Sequence, residues 1–429
     1  MKKGLFALAL MVLVVLTFGS TVMAEGKLTV MGVWGGQELD AFMKVVESFE
    51  KASGIDVQFE GTRDLPTLLT TRLEAGNPPD VVALTGLGMM KDLAKSGNLV
   101  DLTGVLDMET LKEDYNQTWI DLATYKDGMY GLYISADIKS LVWYNPKEFA
   151  AKGYEVPSTW EELETLTDKM VANGDTPWSI GLESGAASGW PGTDWIEDIM
   201  LRTAGPEVYD QWVNHDISWT DERVRRAFEI FGKIARDPKL VWGGPTAVLA
   251  TNFGDAANPL FAEPAQAYMH RQASFITSFI KENNPGVVAG EDFDFFPFPS
   301  IEEEFGTPVL GAADMISMMN DTPEARAFMN YLATPGAQMI WVGELGKIGI
   351  NKRINPNVYP DDITRKMAKA LQNASVFRFD GSDSMPAAVG SGAFWQGVLD
   401  YVGGQDLDSV LEYIEDIADE SYTTGKATD

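Results

Sequence analysis

The chain has no cysteine and only two histidines, His215 and His270. The first absence excludes disulfides, thiolate metal sites and a lipid-modified cysteine at a processed N-terminus. The second means that a catalytic triad or a two-histidine metal site would need both rings, which lie far apart in sequence and in no familiar motif. No G-x-S-x-G elbow, H-E-x-x-H, P-loop or complete G-x-G-x-x-G is present. No cofactor and no metal is implied. Positive charge is scarce as well, since 33 basic residues face 63 acidic ones for a formal charge of −30. A field of that sign repels phosphate backbones and anionic lipid surfaces, so neither nucleic acid nor a membrane surface is an expected partner. Carboxylate pairs are harder to exclude, because 63 acids supply many chance pairs and a glycoside hydrolase needs only two at a suitable separation.

Long apolar runs are missing except at the start. Lys2 and Lys3 precede an apolar stretch over residues 5–18, and small residues lead to Val22-Met23-Ala24. This is the pattern of an export signal, residues 1–24, and the stretch is too short for a membrane span. About 405 residues remain after cleavage there, room for roughly two or three domains. The removed segment carries two lysines and no acid, so the processed chain would be near −32. With no anchoring cysteine, a freely diffusing periplasmic monomer is expected.

From Lys27 the chain reads strand, helix, strand, helix, strand. Residues 28–33 run into Trp34-Gly35-Gly36, residues 55–59 into Glu60-Gly61-Thr62-Arg63-Asp64, and residues 80–84 into Thr85-Gly86-Leu87. Between them Leu39, Phe42, Met43, Val46 and Phe49 recur at helical spacing, and residues 67–74 suggest a second, shorter helix. Strands alternating with helices pair in parallel, and ligands of open α/β sheets gather outside the carboxyl ends of the strands. Residues 129–146 are β-rich with a polar centre at residues 135–139, as expected of a strand that leaves a first lobe for a second across the floor of a cleft. Helices joined by aromatic loops follow to about residue 290, one of them opening on a capping-box spacing at Ser158 and Glu161. Residues 292–297 are a candidate return, 311–319 a further strand of the first lobe and 323–333 its helix. The chain is then mostly helical to its end.

The twelve tryptophans are the positive signal. Trp34, Trp190, Trp195 and Trp242 lie in segments rich in glycine and proline. Each can be core, or can lay a flat ring on the C–H face of a pyranose while neighbouring polar groups meet its hydroxyls. Such hydroxyls are served by carboxylates, which only accept, and guanidinium forks, which only donate. Arg63, Asp64, Asp137, Asp194, Arg271 and Asp314 are candidates by position; a structural ion pair or a solvated side chain is the alternative for each.

Taken together, Val33-Trp34-Gly35-Gly36, Glu60-Gly61-Thr62-Arg63-Asp64, the run from Glu74 through Asn77-Pro78-Pro79-Asp80, the loop of residues 189–195 and Phe394-Trp395 resemble the extracellular solute-binding proteins of carbohydrate ABC transporters. The likeness is nearest to the α-glucoside-binding branch and more distant to maltose- and trehalose/maltose-binding proteins, and it spans essentially the whole processed chain. It implies an α/β, periplasmic-binding-protein-like fold: two lobes, each a central β-sheet flanked by helices, joined by three hinge crossovers. Residues 25–136 and 295–334 would form the first lobe, and 137–294 and 335–429 the second. By similarity Trp34, Gly35, Arg63, Asp64, Thr85, Gly311 and Asp314 would bind from the first lobe. Trp190, Asp194, Trp195, Trp242, Arg271 and Trp395 would bind from the second, with Asp137 near the first crossover. Residues 268–272 depart from maltose-binding relatives in lacking a tryptophan. The implied activity is capture of an α-glucoside, a disaccharide in the first instance, and its delivery to membrane permease subunits, with no bond broken. The alternatives are an exported glycoside hydrolase, or the same receptor fold holding another oligosaccharide or a polyol.

Overall fold

The computed structural model describes residues 26–426 apart from Thr85, Gly346, Asn373 and Ser375, so the expected export segment lies outside it. A first core grows from β1 (Lys27–Gly32), α1 (Gly36–Ser53), β2 (Asp56–Gly61), α2 (Leu65–Glu74), β3 (Val81–Leu84) and α3 (Leu87–Lys95). β1 lies between β2 and β3 and pairs with both in parallel. On α1, Ala41, Phe42, Val45, Val46 and Phe49 are buried; residues three and four apart make one apolar stripe, and that stripe covers the sheet. All four residues of β3 are buried, which is why that strand is apolar throughout instead of alternating. The long strand Val309–Met318 runs antiparallel beside β3 and pairs also with Leu132–Ile138 and with Phe377–Phe379.

A second core surrounds the small sheet whose central strand, Leu141–Tyr144, is flanked antiparallel by Met269–Arg271 and Asp294–Pro297. Helices Trp190–Thr203, Glu222–Ala235 and Leu407–Lys426 pack around it. The fold is therefore α/β with two hydrophobic cores. Strands Leu132–Ile138 and Leu141–Tyr144 belong to different sheets although only two residues part them. The chain thus changes lobe at Lys139 and Ser140, just past the boundary expected between residues 136 and 137.

The third passage lies elsewhere than expected. Residues 335–379 join the first core: helix Pro335–Glu344 packs on α1, Trp341 and Val342 are buried there, and Phe377–Phe379 extends the first sheet. Residues 294–297 in turn belong to the second sheet, not to the first lobe. Apolar periodicity says that a helix covers a sheet, but not which of two sheets it covers. The capping box also moves by one residue, because Ser158-Thr-Trp-Glu-Glu162 contains two overlapping frames. Thr159 is the cap, its hydroxyl accepting from the amide of Glu162 while the Glu162 carboxylate accepts from the amide of Thr159.

Candidate functional site

A cavity of about 440 Å³ opens between the two cores. The first lobe contributes Trp34, Glu38, Arg63, Asp64, Asp314 and Lys347 to it; the second contributes Trp190, Phe253, Phe275, Asp383 and Trp395; Asp137 and Lys139 of the crossing strand lie at its floor. Each group has a local reason to be where it is. β1 ends at Gly32, and Trp34 turns its ring onto Phe42 and Trp341, at centroid distances of 4.6 and 4.9 Å. Only an edge of it reaches the cavity, since the residue is 4 % exposed, and its Nε1–H donates to Asp314 Oδ1 at 3.4 Å. Arg63, beyond β2, reaches across to the second lobe. Its Nη2 donates to Ser184 Oγ at 2.7 Å, and its guanidinium lies 5.4 Å over the Phe253 ring.

The second-lobe wall is aromatic. Trp190 packs 5.2 Å from Phe253 and 5.9 Å from Phe275. Trp395 lines the same cavity, and its indole N–H is buried with no protein acceptor. Gly189 makes this pairing of tryptophans possible. Its φ of 110° is open to glycine, and a Cβ there would lie 2.5 Å from the carbonyl oxygen of Trp395.

Facing this wall is a buried charge cluster on the first lobe. The Lys347 ammonium lies 2.7 and 2.9 Å from the two oxygens of Asp314, 3.1 Å from Glu38 and 3.8 Å from Asp137. Asp137 also accepts from Ser274 Oγ at 2.7 Å. One cation among three carboxylates leaves acceptor oxygens in excess. Burial pushes the Asp137 carboxyl up, to about 6; Lys347 opposes the rise and the charge of Asp314 adds to it. Burial also works against the Lys347 charge, but Asp314, Glu38 and Asp137 outweigh it and hold that ammonium above its ordinary range.

Beneath the cavity lies a second cluster whose role is support. Lys139 Nζ bonds Asp194 Oδ1 at 2.8 Å, pairs with Asp380 and lies 5.3 Å over the Trp190 ring. Arg271 meets Asp194 at 3.5 Å and Asp198 at 3.2 Å. Carboxylate oxygens of Asp194, Glu197 and Asp380 gather within 4.8 Å of one another, as a cation site would. The Lys139 ammonium sits on two of the three, so a side chain already supplies the positive charge. Glu197 accepts from the amides of Gly381 and Ser382, anchoring the third passage between the lobes.

Among the residues expected at the site, the cavity gathers Trp34, Arg63, Asp64, Asp137, Trp190, Asp314 and Trp395. Asp194 and Arg271 are buried in the supporting cluster instead. Trp195 is core, 1 % exposed and packed by Trp178, Phe298 and Phe231. Trp242 sits away from the cavity, its amide donating to Trp178 O at 2.8 Å. Gly311 serves packing, since a Cβ there would meet the Phe377 ring at 2.4 Å. Gly35 borders the cavity without lining it, and Thr85 lies outside the described residues. Glu38, Lys139, Lys347, Phe253, Phe275 and Asp383 line the cavity and were not foreseen. Lys139 carried a signal, since it lies in the polar centre of the crossing strand; the phenylalanines carried none, because their default place is a core.

Chemically, the arrangement offers a flat aromatic wall opposite a dense set of fixed acceptors with donors among them. That suits a neutral solute rich in hydroxyls. Comparison with known proteins agrees in kind. The family model for bacterial extracellular solute-binding proteins matches residues 35–339. The osmoprotective compounds-binding protein GgtB of Synechocystis sp. is 46% identical over 389 residues, 91% of each chain. The alpha-glucosides-binding periplasmic protein AglE of Rhizobium meliloti is 44% identical over 397 residues, covering 90% of this chain and 86% of that one. Among solved structures, a chitin oligosaccharide binding protein superposes with a TM-score of 0.80 at 21% identity, over 93% of this chain and all of that one. At that identity the last likeness speaks for the fold alone.

Proposed function

The chain belongs to the bacterial extracellular solute-binding proteins, and from that premise we propose that it is the sugar-capturing receptor of an ABC importer, specific for a small α-glucoside. The observation that carries this reading is the opposition, inside one cavity between two lobes, of Trp190, Phe253, Phe275 and Trp395 to the Asp137, Asp314, Glu38 and Lys347 cluster. The aromatic rings cover the C–H face of a pyranose, and the cluster takes its hydroxyl protons. The relatives agree in their names, one binding alpha-glucosides and the other osmoprotective compounds, so a disaccharide or a glucosylated polyol is the size of cargo expected. Ligand touching both lobes favours the shut form to the extent that it binds that form better, and the shut form hands the sugar to permease subunits in the membrane. The protein works in the periplasm after export, and no bond is broken.

The test is calorimetric titration of protein that has been unfolded and refolded to strip bound sugar. The titrants are maltose, trehalose, sucrose, isomaltose, glucosylglycerol and a β-linked disaccharide, with chromatography of each mixture after prolonged incubation. Tight binding of an α-glucoside recovered intact is the expected result. Product release would make the chain a hydrolase, and silence toward every α-glucoside would refute the assignment.

A further inference from the structure

Away from the cavity wall, α3 of the first lobe meets the second lobe with its backbone bare. Leu87 and Met90 point into the first core. Gly88 and Asp92, four residues apart and so on one shared face, point the other way. A Cβ on Gly88 would lie 1.8 Å from the carbonyl oxygen of Met385, and one on Gly86 would lie 2.7 Å from that of Asp383. Met385 belongs to the second core. One turn further along, the Asp92 carboxyl lies near the backbone N–H of Ala387, which lowers its pKa against the larger rise that burial causes. The same short segment, through Asp383 and Ala387, lines the ligand cavity. The cavity is thus bridged by Arg63 on Ser184 and Phe253, and beside it the lobes touch backbone to backbone.

We infer that Gly88 is the residue that permits the lobes to shut: it forms a side-chain-free seat on α3 that receives the residue 383–387 backbone only in the closed form. This rests on the reading of the chain as a receptor that closes on its ligand. The seat needs contact more than flexibility, because the backbone of Gly88 is not in the left-handed region. Alanine is therefore allowed there conformationally, and as the better helix former it does not weaken α3 in the open form. What it does is hold Met385 away, and with it the two residues of that segment that face the ligand. A receptor whose closed fraction falls has an apparent dissociation constant raised by the same factor.

The chain contains no cysteine, so a pair introduced at two cavity-lining positions on opposite lobes, Pro66→Cys and Ala186→Cys, can be cross-linked by a short bis-maleimide without competing thiols. Each closing event adds irreversibly to the product, so the rate reports closure whether or not the right sugar has been found. In that background Gly88→Ala should slow cross-linking by about tenfold or more, and Gly88→Val further. Alone, Gly88→Ala should raise the Kd for the bound glucoside by about the same factor, with the ligand-free melting temperature unchanged or higher. Cross-linking at the parental rate would overturn the inference. So would a lowered melting temperature in the ligand-free alanine variant, which would mean that the contact is fixed packing present in both forms. If the parental protein binds no α-glucoside, the receptor's cargo is wrong, and the cross-linking comparison still decides the role of Gly88.

Discussion

Asp137 is a candidate ligand-binding residue that the fold should be better off without. Its carboxyl is buried beside Asp314 and Glu38 with one lysine to share, and its pKa rises from 3.8 to about 6. The unfolded chain loses this proton near its ordinary pKa, while the folded protein keeps it up to about 6. Between those values the folded state binds more protons, so stability falls as pH rises, and the loss is complete above the folded pKa. A rise of that size corresponds to a cost of about 3 kcal/mol, taken as an upper bound because Lys347, Asp314 and Glu38 all act on the same carboxyl. In Asp137→Asn the amide oxygen can still accept from Ser274, and Lys347 keeps Asp314 and Glu38. Urea unfolding of both proteins across pH should show equal stability below pH about 4, an advantage for the asparagine variant that grows to about 3 kcal/mol by pH about 6, and a plateau beyond. Glucoside affinity should fall in the same variant, since an acceptor oxygen becomes a donor. A difference that does not change with pH, or an asparagine variant less stable at neutral pH, would refute the argument.

Arg63→Ala removes the Ser184 hydrogen bond and the contact with Phe253. Calorimetry should show affinity down by about tenfold or more, since charged hydrogen bonds carry ~1.5–3 kcal/mol, with little change in melting temperature. Lys139→Met leaves Asp194 and Asp380 buried without their ammonium; chemical denaturation should register a loss of ~3–5 kcal/mol. That loss should grow as pH rises, because burial already lifts the Asp194 carboxyl to about 7. Trp195→Ala should cost ~3–5 kcal/mol of stability, as large truncations in a core do. Trp190→Ala should instead spare most stability and abolish measurable glucoside binding.

The contrast between those two tryptophans shows what the sequence could and could not reveal. Both lie in one glycine- and proline-rich stretch, five residues apart, and composition treats them alike. The helix begun at Trp190 turns by 100° per residue, so that Trp190 faces Phe253 and Phe275 at the cavity while Trp195 is driven into Phe231 and Phe298. Which face is which depends on where the helix starts, and Gly189 fixes that start through a contact with Trp395, more than 200 residues away. The strands of the first lobe were legible for the opposite reason: each is a local run whose burial writes its own pattern, and the chain leaves each strand at the edge where ligands collect. The carboxylates fall between these cases. Position alone marked Asp137, Asp194 and Asp314, with Arg271, as candidate binding groups. Whether such a group is offered to a ligand or consumed by the scaffold depends on which lysine reaches it. Lys347 leaves Asp137 and Asp314 at the cavity surface with oxygens in excess, whereas Lys139 and Arg271 enclose Asp194 in the supporting cluster beneath. Of the cations that divide binding groups from structural ones, Lys139 stands at the first passage between the lobes, and Lys347 precedes Ile348, which bridges Ala136 of the crossing strand. A site of this kind is therefore read from the crossovers outward, and the sequence is least explicit where the two lobes meet.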